Sequence, residues 1–251
     1  MEKRAQGQRK KAGRRGRRGG GPAPALLLAL AAAAAAALPL LPALARALRA
    51  CEALGPEAGA PVLGLSGHAG SFLAGAAAFA MVFVSVRFPA KVYVFVHEAT
   101  HALFALAFGA RVSAFRVEEE EGSVDVSRSN AVILLAPYAF PLPAIAALAL
   151  FGAVSLAVPL VGTAAGAFGA AAAGAAWGFH FCFTVNALLQ RQTDLDEYGF
   201  FFSVVLLLAC NLFFLLAAQV ALGPATVGET VRVLRELVAQ SYGAAADFFL
   251  R

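Results

Sequence analysis

Charge is scarce in this chain. Only 14% of its 251 residues are Asp, Glu, Lys or Arg, while 60% are hydrophobic. A soluble domain carries about 25% charge and about 45–50% apolar residues. That shortage excludes an ordinary soluble enzyme, and the apolar excess excludes a disordered chain. A polytopic membrane protein is the class that remains. Cysteine is also scarce. Cys51, Cys182 and Cys210 are odd in number, and the last two sit in apolar runs, so they read as packing residues and not as a disulfide scaffold. No internal repeat is evident. No polar stretch is long enough for an inserted regulatory domain.

The charge that is present is unevenly placed. Residues 1–21 hold nine Lys/Arg and one acid, a balance of +8, which leaves −3 for the rest. This Arg/Gly-rich stretch has no apolar period and reads as a disordered tail. An apolar segment follows at once, so the tail reads as a topology signal or an anionic-lipid contact, and no nucleic-acid partner is expected.

Residues 22–91 read as N-terminal membrane segments and a loop. Segment one, 25–44, is long enough to span and also resembles a signal peptide with an Ala43-Leu44-Ala45 site. Its length favours a retained span. A polar loop covers 46–68, and segment two covers about 70–86. The core then runs from 92 to 222. Segment three is 92–109. Alternation over 112–117 and 122–126 predicts a β-hairpin with its turn near Glu121-Gly122. Segment four, 131–154, is interrupted by Pro137, Pro141 and Pro143. Segments five and six are 160–189 and 199–222, separated by a polar break. The 223–251 tail carries Val227, Val231, Leu234 and Val238 at helical spacing, which predicts an interfacial amphipathic helix. The expected fold is an all-α polytopic membrane protein with five to six transmembrane helices and a small β-hairpin after segment three.

Segment three carries the chemistry. It reads His97-Glu98-Ala99-Thr100-His101, an H-E-x-x-H on an apolar helix. Residues four apart share a helical face, so both histidines can reach one metal ion. Glu98 follows the first ligand and can serve as general base toward an attacking water. With four His and at most 15 Glu, composition alone gives on the order of 0.004 chance matches. Three ionisable groups in an apolar span are also costly unless they function. A catalytic zinc site needs a third protein ligand. The extended motif with a third His fails, because Phe104 and Ala107 stand there. Glu118–Glu121, His180 and Asp194 are the remaining candidates.

H-E-x-x-H in an apolar helix, followed by a hairpin, resembles the site-2 protease family of intramembrane zinc metalloproteases. That family's second motif is N-x-x-P-x-x-x-x-D-G. Here Asn186 and Asp194 keep the Asn-to-Asp spacing, while Leu189 replaces the Pro and Leu195 the Gly. The resemblance covers about 92–220. It implies Zn²⁺ held by His97, His101 and Asp194, with Glu98 and Asn186 at the catalytic centre. It implies hydrolysis of single-span membrane-protein substrates, in a bacterial-type cytoplasmic (inner) membrane. In the family, the hairpin resembles an edge on which an unwound substrate pairs. The two departures favour an alternative, a catalytically silent scaffold that binds single-span partners. A transporter reading lacks the expected repeat symmetry. The family's cytosolic catalytic face and the basic tail agree only if segment two is re-entrant or segment one does not span.

Overall fold

The computed structural model describes residues 68–86, 88–119, 121–190, 193–222 and 226–249, with isolated positions between 35 and 47. The predicted segment at 25–44, the loop after it and Cys51 lie almost wholly outside the described residues. The order is α1 (Ala69–Ser85), α2 (Ala90–Ala107), β1 (Val112–Val117), β2 (Gly122–Val126), α3 (Ala131–Ala139), α4 (Leu142–Ser155), α5 (Ala164–Gln190), α6 (Thr193–Glu197), α7 (Phe200–Leu222) and α8 (Val227–Phe249). The described residues are mostly helical, with one two-stranded antiparallel sheet among them.

Among the described residues, α5 and α7 are long and apolar enough to cross a membrane. A third crossing is available if α3 and α4 count as one span bent by 68°. The remaining spans of the five to six expected are not shown among the described residues. α1 has 17 residues, a short apolar helix, and α2 is diluted by Lys91, His97, Glu98 and His101.

Small residues let α1 and α5 meet backbone to backbone. A Cβ on Gly174 would stand 1.9 Å from the Phe72 carbonyl oxygen, and one on Gly75 would stand 1.9 Å from that of Ala171. In an apolar surround such close approach supplies the van der Waals energy that holds helices together. An aromatic cluster extends the seam. Phe79, Phe83 and Phe88 pack on Phe179 and Phe183, and Tyr93 of α2 stacks on Phe183 with ring centroids 4.4 Å apart.

Of the prolines of segment four, Pro141 and Pro143 mark the break, while Pro137 lies inside α3. Asn130 caps α3 by accepting from the Ile133 N–H. α3 ends at Ala139, Phe140 turns extended, and α4 restarts with Pro143 in its first turn. The hairpin forms where alternation placed it, but its turn is Glu118–Glu121, closed by the Glu118 N–H on the Glu121 carbonyl. Gly122 belongs to β2, paired with Val117. The amphipathic tail helix runs to Phe249, further than the period showed. It starts with a capping box, Thr226 and Glu229 bonding each other's backbone N–H.

Candidate metal centre

The H-E-x-x-H lies in the middle of α2, and its geometry follows from helical spacing. His97 and His101 point their Nε2 atoms to one place, 3.2 Å apart. Asp194, on the five-residue α6, brings Oδ2 to 3.8 Å from His97 Nε2 and 3.6 Å from His101 Nε2. Among the described residues these three form the group of His, Cys and acidic side chains that could hold a metal ion. A triangle with those sides has its centre about 2.1 Å from each corner, the length of a bond from zinc to imidazole or carboxylate. The donors therefore fit a small divalent cation without rearrangement.

Each ligand is oriented by one further group. His101 Nδ1–H donates to the Ile133 carbonyl at 2.9 Å, which leaves Nε2 as the lone pair. The Ile133 carbonyl is free because the residue four positions on, Pro137, has no N–H to take it. His97 Nδ1 lies 3.2 Å from the Tyr93 hydroxyl, one helical turn back on the same face. The Tyr138 hydroxyl donates to Asp194 Oδ2 at 3.3 Å.

The ligands open on a cavity of about 690 Å³. α2 and α3 form two of its walls, and β2 with Gly122, Ser123 and Val124 forms another. Glu98 lines it, 9% exposed. Gly122 sits directly on Glu98: a Cβ there would be 2.6 Å from Glu98 Cγ and 2.9 Å from its Oε1. Only glycine lets the strand come this close. A buried carboxylate next to the ligands, facing a cavity large enough to admit water, can accept and return a proton.

The other sequence candidates fall elsewhere. Glu121 lines the cavity, while Glu119 pairs with Lys91 at 3.0 Å on the surface. Neither joins the metal-binding group. His180 is buried on α5 and does not join the metal-binding group. Asn186 is half-buried near the end of α5 and is not among the residues lining the cavity. Sequence reasoning missed Tyr93, Tyr138, Pro137 and Gly122. Two of these left a local signal: Tyr93 precedes His97 by one turn, and Pro137 follows Ile133 by one turn.

No protein-family model, no curated protein and no solved structure matches this chain.

Proposed function

We propose that the protein is an intramembrane zinc metalloendopeptidase that cleaves single-span membrane proteins. The observation that carries this reading is the convergence of His97, His101 and Asp194 on one point beside Glu98 and an open cavity. Zinc suits two imidazoles and one carboxylate with a fourth position left open. When bound, it supplies a Lewis acid that makes water a competent nucleophile and polarises the scissile carbonyl. Glu98 takes the proton of the attacking water and passes it to the leaving amine. His101 and His97 keep their Nε2 atoms aprotic through Ile133 and Tyr93.

The cavity wall explains how a substrate presents itself. A peptide bond inside a helix is hydrogen-bonded and shielded. β2 offers a strand edge along the cavity, so an unwound segment can pair with it and lie across the ligands. The apolar helices α5 and α7, and the bent α3–α4 pair, support placement in a bilayer. A bacterial-type cytoplasmic membrane and a cytosolic catalytic face remain part of this proposal. The role of Asn186 as a donor to the developing oxyanion rests on the family resemblance.

The test begins with zinc per chain, by elemental analysis, on detergent-purified protein. About one zinc is expected in wild type, with marked loss in Asp194→Ala. A helix-destabilised single-span peptide, labelled for fluorescence release, then reports cleavage. Glu98→Gln should retain zinc and stop cleavage. Wild type without zinc, even after reconstitution, would sink the metalloenzyme. Zinc-loaded wild type that leaves a panel of such peptides intact would point to the silent scaffold, to be followed by a search for bound partners.

A further inference from the structure

The third ligand stands on the least self-sufficient element of the fold. α6 has five residues, too few to form a stable helix alone. Yet Asp194 must hold Oδ2 within a few tenths of an ångström of its place. Three contacts fix it. The Leu195 side chain is 0% exposed and packs among Leu135, Tyr138, Ala187 and Leu207. The Leu195 carbonyl accepts from the buried Ser203 hydroxyl at 2.9 Å. The Tyr138 hydroxyl donates to the carboxylate itself.

Tyr138 is itself held at both ends. Its ring is 1% exposed and meets the His97 ring edge-on, centroids 4.9 Å apart. Its carbonyl would bond the Leu142 N–H in an unbroken helix. The α3–α4 break gives that N–H to Phe140 instead. The released Tyr138 carbonyl accepts from Thr184 at 3.4 Å and Asn211 at 3.5 Å, on α5 and α7. A buried phenol needs a partner for its O–H, and the partner here is the metal-facing oxygen.

We infer that Tyr138 and Leu195 are positioning residues for the third ligand, an anchor built from the α3 phenol and a buried side chain of α6. This rests on the metal-centre reading above. Leu195 and Leu189 then differ in kind. Leu195 is a buried plug that a glycine could not supply. Leu189 is 80% exposed and anchors nothing.

The experiment uses the full chain in detergent, stripped of metal and titrated with Zn²⁺ against a chromogenic chelator. Removing an outer partner of a metal ligand weakens binding about 10- to 100-fold. Tyr138→Phe keeps the ring and should show that loss, with thermal unfolding of the metal-free form unchanged. Leu195→Gly should lose at least as much, and Leu189→Ala nothing. With Co²⁺ as probe, the visible bands of Tyr138→Phe should shift, which a purely structural role would not produce. Wild-type Zn²⁺ affinity and Co²⁺ bands in Tyr138→Phe would overturn the anchor while leaving the metal centre standing. Wild type that takes up no Zn²⁺ would overturn both. If Leu195→Gly does not fold, Tyr138→Phe decides alone.

Discussion

Adding one methyl group to Gly174 should unseat α1 from α5. The new Cβ would lie 1.9 Å from the Phe72 carbonyl oxygen and 2.9 Å from Phe72 Cα, both backbone atoms that no rotamer can move. Ordinary contact begins at 3.4 Å, so the helices must separate by about 1.5 Å. A gap of about 0.5–1 Å already forfeits a quarter to a half of each van der Waals well. In an apolar surround those contacts are what holds the helix pair. The cost should therefore sit at the top of the overpacking range, about 3 kcal/mol. Gly243 provides the opposite control. A Cβ there meets nothing within 4 Å and the residue lies inside α8, so Gly243→Ala should gain up to about 1 kcal/mol from helix propensity. Unfolding in detergent, followed by circular dichroism against a denaturant series, reads both. Gly174→Ala within about 0.5 kcal/mol of wild type would refute backbone contact between α1 and α5.

Two further substitutions probe the site. Gly122→Ala places a Cβ 2.6 Å from Glu98 Cγ and Val94 Cγ1, so the carboxylate must move by roughly an ångström. Zinc content should hold while the cleavage rate falls on the order of 100-fold; an unchanged rate would remove Glu98 from the proton transfer. Pro137→Ala restores an N–H that competes for the Ile133 carbonyl and frees His101 Nδ1. Its zinc affinity should fall about 10-fold, the low end of the range for outer partners, while helix content holds or rises. Chelator competition gives the affinity, and wild-type binding would detach the proline from the site.

The histidine pair needed no tertiary information, because a spacing of four on a helix puts both rings on one face. The hairpin was legible from alternation. The turn lies about two residues before the expected Glu121-Gly122, because Gly122 serves a contact with Glu98 and not a reversal of the chain. The prolines at 137, 141 and 143 announced a break, but a break says nothing about which freed carbonyl will be used. Among the described residues two helices, or three with the bent pair, are long and apolar enough to span, because apolar composition does not measure helix length. α1 is short, and α2 gives four positions to ionisable side chains.

By itself, then, the sequence determined that the chain is apolar and helical, that His97, Glu98 and His101 share a helix, and that the chain breaks between α3 and α4. These are properties of composition and of neighbours within one turn. Tertiary structure decided the rest of the centre. It brought Asp194, 93 positions after His101, to 3.6 Å from its ring, laid β2 over Glu98, and gave each ligand an outer partner. Those pairs lie far apart along the chain, except Tyr93 and His97. No local pattern encodes such a distance, because only packing of whole helices sets it.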